Sequence, residues 1–294
     1  MRFVLWLISV IPLCILHPIG GFLGGVVWRC APRFRRRMNE NLRQAGYQPE
    51  AMAREVSRQL GMQAIESGWI WKRPHRELMQ YVKATEQADR LIADALASGR
   101  PVLFMTPHIG CFEITPVWLA QRHLQAEGRY MAILYRTPRK AILRPAVQKG
   151  RETPGIVPAP ADLKGVRELV RAFRDGQIVG VLPDQVPSKG EGVWADFWGR
   201  KAYTMTLPLK LARQFNAIRI VAWGRRVPGR GWVIDARRWE GDLTGDLNKD
   251  AAAMNRALEG VIRRIPEQYL WSYNRYKCPS GVQRPPQESE ARHG

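Results

Sequence analysis

The sequence predicts an α/β fold, a mixed, mostly parallel sheet flanked by helices, with an N-terminal membrane-anchor helix. From Arg100 onward, short apolar runs alternate with helical stretches, the pattern of strands joined by crossover helices. A charge-free apolar segment opens the chain. Of the 294 residues 45% are hydrophobic, and eleven Trp are among them. That composition supplies a buried core and excludes a disordered, collagen-like or coiled-coil chain.

Phe3 to Trp28 holds no Asp, Glu, Lys or Arg, and a helix of that length reaches about 39 Å, beyond the ~30 Å of bilayer hydrocarbon. Pro12, His17, Pro18 and the glycines at 20, 21, 24 and 25 leave a kinked or re-entrant membrane helix as open as a full span. An n-region with only Arg2 and no A-x-A site point to a retained anchor rather than a cleaved signal peptide. Arg29, Arg33, Arg35, Arg36 and Arg37 follow at once. Positive charge beside a span marks the cytoplasmic side and holds the body against anionic headgroups, or it is a topology signal alone. The expected organisation is an anchor over 1–30, a catalytic body over 31–278 and a disordered tail, rich in Pro, Gln and Glu, over 279–294.

Residues 50–72 carry Val56, Leu60, Ile65 and Trp69 at helical spacing, ending in a Trp69-Ile70-Trp71 cluster that reads either as core or as an interfacial anchor. Glu86 to Ser98 predicts a helix stopped by Gly99. Strands are expected at Val102–Met105, Tyr130–Leu134, Gly155–Val157, Ile178–Leu182, Ile218–Trp223 and Trp232–Ile234, the last two forming an antiparallel hairpin. Helices are expected near 111–124, 140–150, 161–175, 203–215 and 246–264.

With 46 Lys+Arg against 26 Asp+Glu the formal charge is +20, which calls for an anionic partner: nucleic acid, acidic lipid or an acidic carrier protein. The chain shows no zinc-finger spacing, RNP-like aromatic signature or helix-turn-helix, so nucleic acid is not expected. Cys14, Cys30, Cys111 and Cys278 show no C-x-x-C spacing, which argues against a disulfide framework or a zinc site and fits a reducing compartment.

Five histidines are present. His17 lies in the apolar anchor, His293 in the tail, and His75 and His123 among charges on expected helix surfaces. His108 instead follows a strand, in Thr106-Pro107-His108-Ile109-Gly110-Cys111-Phe112-Glu113, at the carboxyl end where open α/β sheets place their ligands. Glu113 on the first helical turn can accept from Nδ1 while Nε2 faces a cleft, fixing the tautomer and stabilising the imidazolium formed on proton transfer. The simplest use is to deprotonate a hydroxyl that attacks a carbonyl directly. A bland reading, a core histidine bonded to a helix-capping carboxylate, stands beside it. Cys111 lacks a G-x-C-x-G elbow, which disfavours a covalent mechanism.

Read together, the anchor, Pro107-His108-x4-Glu113, Leu134-Tyr135-Arg136, Gly150-Arg151, Leu182-Pro183-Asp184-Gln185, Phe197-Trp198-Gly199-Arg200-Lys201-Ala202 and Pro266-Glu267-Gln268-Tyr269-Leu270-Trp271 resemble the bacterial lipid A biosynthesis (late) acyltransferase family. That family is related to the glycerolipid acyltransferases that carry H-x4-D/E, and the likeness covers roughly residues 2–278. The resemblance implies a glycerolipid acyltransferase-like fold and an inner-membrane enzyme with its catalytic domain on the cytoplasmic face. Such an enzyme moves a fatty acyl group from acyl carrier protein to a hydroxyl of a 3-hydroxyacyl chain on a glucosamine lipid, the lipid A precursor, without cofactor or metal.

His108 and Glu113 match the family's catalytic pair, and Arg151, Asp184 and Arg136 match its oxyanion or substrate-binding positions. A guanidinium at Arg151 would stabilise the developing oxyanion, or it ends a helix. Asp184 is expected to position an arginine, to close the cleft or to make a structural ion pair. Two extra prolines after Arg151 and Ser272-Tyr273-Asn274-Arg275 in the last block depart from the family pattern and leave the lipid acceptor open. The rivals are acylation of a lysophospholipid, aminolipid or mannoside, with acyl-CoA as an alternative donor, and a non-catalytic lipid-binding relative. A basic rim at 35–37, 136–140, 167–174, 200–201 and 225–226 suits both an acidic carrier protein and lipid phosphates. Trp194, Phe197 and Trp198 read as an acyl slot, a lipid contact or ordinary core.

Overall fold

A computed structural model describes residue 6, residues 8–135 and residues 154–285. The strands are β1 (Val82–Ala84), β2 (Val102–Met105), β3 (Met131–Tyr135), β4 (Ile156–Pro160), β5 (Ile178–Val181), β6 (Gly192–Phe197), β7 (Arg200–Met205), β8 (Ile218–Val227) and β9 (Gly231–Arg238). Among the described residues, seven of them form one sheet in the order β1-β9-β8-β2-β5-β3-β4. Every pairing in it is parallel except β8–β9, the expected hairpin. The fold is α/β, as the alternation of runs predicts.

The central strand β2 reads Val-Leu-Phe-Met with every residue buried, the signature of a strand covered on both faces. Side chains alternate, so Val102 and Phe104 enter one core and Leu103 and Met105 the other.

Among the described residues, the helices of six residues or more are α1 (Leu13–Cys30), α2 (Pro32–Gln44), α3 (Pro49–Ile70), α4 (Glu86–Ala97), α5 (Ile114–Leu119), α6 (Leu163–Arg174), α7 (Leu207–Gln214) and α8 (Leu247–Ile262). Caps explain three of the starts: Thr85 accepts from Ala88 N, Asp162 from Gly165 N, and Asp246 from Asn248 N and Lys249 N.

Two helix expectations change. The helix expected over 111–124 is α-helical only over α5 and continues as a π-helical turn, Ala120–Leu124. The helix expected at 203–215 begins at Leu207, because Arg200–Met205 pairs with β6 as a separate two-stranded ribbon. Of the arginine cluster, Arg33, Arg35, Arg36 and Arg37 lie on α2, whose Met38 and Leu42 are buried and whose Asn41 amide donates to Trp271 O at 2.6 Å and Tyr273 O at 2.8 Å. The helix expected at 140–150 lies outside the described residues. At the C-terminal end, the Trp194 indole donates to Gln283 O at 2.9 Å, so the start of the segment expected as a tail touches β6.

Helix α1 is long and apolar enough to cross a membrane, but one face packs on α3. The two backbones cross at glycines: a Cβ on Gly61 would stand 2.1 Å from Gly20 O, and one on Gly24 2.1 Å from Ser57 O. The Ser57 hydroxyl closes the crossing by donating to Gly24 O at 2.7 Å. The opposite face exposes Ile15, Ile19, Phe22, Leu23, Val26 and Val27. A side chain at the crossing must push the helices apart. Gly61→Leu should therefore destabilise the protein by about 1–3 kcal/mol, the usual cost of overpacking. Gly260→Ala, on an α8 face with open space around it, should be neutral or stabilising; thermal unfolding in detergent compares the two.

Candidate active site

Strand register builds the site. Met105 of β2 pairs with Val181 of β5 in a parallel ladder, so the two strands end level at the carboxyl edge of the sheet. Each chain then makes a proline-containing turn, Thr106-Pro107-His108 from β2 and Leu182-Pro183-Asp184 from β5. His108 and Asp184 thus stand the same distance beyond paired residues, and they meet. Asp184 Oδ1 lies 2.7 Å from His108 Nδ1, and Oδ2 accepts the His108 backbone N–H at 2.9 Å.

The carboxylate is 2% exposed and the imidazole 13%. Burial works to raise the Asp184 carboxyl, but the charge and hydrogen bonds of His108 prevail and hold it below the usual carboxylate range. An ionised carboxylate only accepts, so Nδ1 carries the proton, which leaves Nε2 as the ring atom that can act as a base. Beside Asp184, the Tyr269 phenol stays protonated, pushed well up by burial and then by the Asp184 charge.

This corrects the expected pairing. The carboxylate behind His108 is Asp184, not Glu113. Glu113 stands at the N-cap position of α5 without capping it, and it accepts the Trp71 indole N–H at 3.2 Å. Both Glu113 and His108 line one cavity of about 680 Å³. Its walls are mainly apolar, with Phe112, Val117, Ile133, Leu182, Met205 and Leu207 contributing. Trp71 and His75 also line it, although His75 reads in the sequence as a surface residue; burial lowers the pKa of its imidazole.

Arg136 and Arg151 lie outside the described residues. Cys111 is 1% exposed and burial pushes its thiol well up, which leaves no thiolate for a covalent step. Phe197 and Trp198 are buried in the core beside α8 and do not line the cavity, so ordinary packing is their role.

The loop that carries His108 is clamped along its length. Leu270 N donates to His108 O at 3.0 Å, Gly110 N to Gln268 O at 3.0 Å and Cys111 N to Gly224 O at 2.7 Å. Gly110 has φ +55°, and a Cβ there would stand 2.1 Å from Gly224 O, so only glycine fits. The block around Gln268 thereby acquires a physical reason: its backbone holds the histidine loop, while its side chain accepts Arg226 N at 2.8 Å and donates to Arg226 O at 3.1 Å.

Arg226, assigned from sequence to the basic rim, is instead fully buried in an ion pair with Glu66 of α3. Its Nε donates to Glu66 Oε2 at 2.8 Å and its Nη2 to Gly110 O at 3.1 Å. His17 of α1 joins them: Nδ1 accepts Gly229 N–H at 2.9 Å, so Nε2 carries the proton toward Glu66 Oε2, 3.1 Å away. Burial alone would raise the Glu66 carboxyl, but the Arg226 guanidinium, helped by His17, holds it at about 2.

The chain is similar to known proteins over most of its length. The family model of the bacterial lipid A biosynthesis acyltransferases matches residues 1–278. The lipid A biosynthesis lauroyltransferase of Escherichia coli (strain K12) is 25% identical, over 95% of this chain and 91% of its own length. The palmitoleoyltransferase of the same strain is 26% identical over 93% of this chain and 89% of its own. A phosphatidylinositol mannoside acyltransferase of Mycobacterium tuberculosis is 25% identical over 71% of this chain and 70% of its own.

The buried pair gives the scaffold a measurable pH signature. Because the folded Glu66 carboxyl sits at about 2 against an ordinary 4.5, its contribution is complete above the ordinary value and is lost as pH falls toward 2. Glu66→Gln strands Arg226 and should cost about 3–5 kcal/mol at neutral pH. Unfolding followed down the acid range should show the gap to the wild-type protein narrowing.

Proposed function

We propose, from the premise that this chain belongs to the bacterial lipid A biosynthesis acyltransferase family, that it moves a fatty acyl group from acyl carrier protein to a hydroxyl of a lipid A precursor. Membership makes the chain an acyltransferase. The observation that carries the finer reading is the imidazole of His108, backed by buried Asp184 and lining an apolar cavity of about 680 Å³. That volume lies in the range of small-molecule pockets, and walls of this kind suit an alkyl chain better than a sugar or a nucleotide.

Asp184 holds Nδ1–H, so Nε2 accepts the proton of the acceptor hydroxyl as its oxygen bonds to the thioester carbon. The tetrahedral intermediate collapses with cleavage of the carbon–sulfur bond, and the thiolate takes the proton from Nε2 to leave an ester and a thiol. Asp184 stabilises the transient imidazolium without becoming protonated. Glu113, on the cavity wall with its carboxylate steered by Trp71, is assigned to hold the acceptor beside Nε2. Arg151 and Arg136 keep the oxyanion and substrate-binding roles that the family pattern gives them. The exposed apolar face of α1 sits in the membrane at its cytoplasmic surface, with the arginines of α2 against anionic headgroups.

The mannoside relative keeps a second acceptor class in view. Purified protein should be given radiolabelled acyl carrier protein thioester or acyl-CoA with a 3-hydroxyacyl glucosamine lipid, a lysophospholipid or a phosphatidylinositol mannoside. Ester label on the glucosamine lipid, with the carrier-protein donor, is the expected result; label on another acceptor alone would overturn the assignment.

His108→Gln should lower kcat by roughly 10² to 10⁴. Asp184→Asn should cost a similar factor with little change in KM for the donor, because an amide donating to Nδ1 forces the wrong tautomer. Steady-state kinetics on folded, membrane-associated variants checks both.

A further inference from the structure

Gln185 takes no part in that proton transfer, yet its side-chain nitrogen lies 3.0 Å from His108 Nε2. An amide nitrogen can only donate, and Nδ1–H is committed to Asp184, so the contact is made to the lone pair of Nε2. Gln185 therefore donates its amide N–H and the ring accepts. The place that amide fills is the one an incoming hydroxyl must take, because a base has to be within hydrogen-bond reach of the proton it removes. Both neighbours of Gln185 are fixed: Asp184 by its two bonds to His108, and buried Val186 by its backbone N–H, which donates to the Tyr273 hydroxyl at 3.0 Å.

We propose that Gln185 is a cap on the base that selects the nucleophile, keeping Nε2 occupied against water until an acceptor lipid displaces the amide. The inference rests on the reading of His108 as the general base. A cavity of about 680 Å³ has room for water as well as for an acyl chain. Left open, the same dyad would hydrolyse the donor: the water oxygen bonds to the thioester carbon as a proton passes to Nε2. The carbon–sulfur bond then breaks, and the thiolate recovers that proton, leaving free fatty acid and thiol.

An acceptor lipid brings binding energy from the rest of its structure with which to swing the amide aside. Water brings no such energy. A glutamine suits the task because it donates to the lone pair and has no titrating proton. A glutamate at 185 would keep the shape and lose the donor.

The test uses the full chain in detergent with radiolabelled acyl carrier protein thioester and, in parallel, acyl-CoA. Free fatty acid is measured without acceptor, and ester with it. Gln185→Ala and Gln185→Glu should raise acceptor-independent hydrolysis about fivefold, the factor set by one net neutral hydrogen bond. The ratio of hydrolysis to transfer should rise with it. Adding His108→Gln to either variant should return hydrolysis to the His108→Gln level, since the released activity is that of the base.

Hydrolysis that stays unchanged, or falls together with transfer, would overturn the cap and leave Gln185 as a group that only positions the ring. A His108→Gln protein that still transfers acyl groups would instead overturn the base itself, so the two failures are told apart.

Discussion

The grip of Asp184 on His108 is the constraint around which the molecule is organised. A carboxylate with 2% exposure has no water to solvate it, and its charge must be met by donors held in place. His108 supplies two, its ring Nδ1–H and its own backbone N–H, so one residue is held at both its main chain and its tip. That arrangement requires the turns after β2 and β5 to arrive together, which the parallel register of two fully buried strands ensures. It also requires the histidine loop to stay still, and backbone hydrogen bonds to Gly224 O and Gln268 O and from Leu270 N see to that.

Behind the loop lies a second buried charge. Arg226 and Glu66 are both sealed from solvent, and their contacts reach Gly110 on the histidine loop, Gln59 on α3 and, through Glu66, His17 on α1. The apolar N-terminal helix is therefore more than a tether. Its buried face carries a histidine bonded into the network that supports the His108 loop, and its other face exposes apolar side chains.

Much of the fold is legible in the sequence because it rests on local signals. Strand β2 is a short apolar run, α4 is closed by Gly99, and the β8–β9 hairpin is marked by Val227-Pro228-Gly229-Arg230-Gly231. The ribbon β6–β7 is missed because Arg200-Lys201-Ala202-Tyr203 does not read as a strand apart from its partner. His108 is legible from its place after a strand, but its partner is not.

The spacing of Glu113 to His108 suggests a contact that local geometry does not make, whereas Asp184 meets His108 through strand order, which one sequence does not disclose. A usable signal was present all the same: two X-Pro turns, ending in His108 and Asp184, each follow a buried strand. Arg226 misleads for the opposite reason. Beside Arg225 it looks like surface charge, and only the approach of Glu66 from a helix 160 residues away shows that it is core.

The identity of the carboxylate behind His108 can be measured without turnover. Magnetic resonance of protein with labelled histidine nitrogens reads a strongly hydrogen-bonded Nδ1 proton directly, and its loss in His108→Gln assigns it. That resonance should persist in Glu113→Gln and vanish in Asp184→Asn. Persistence in Asp184→Asn with loss in Glu113→Gln would contradict the pairing on which the proposed chemistry stands.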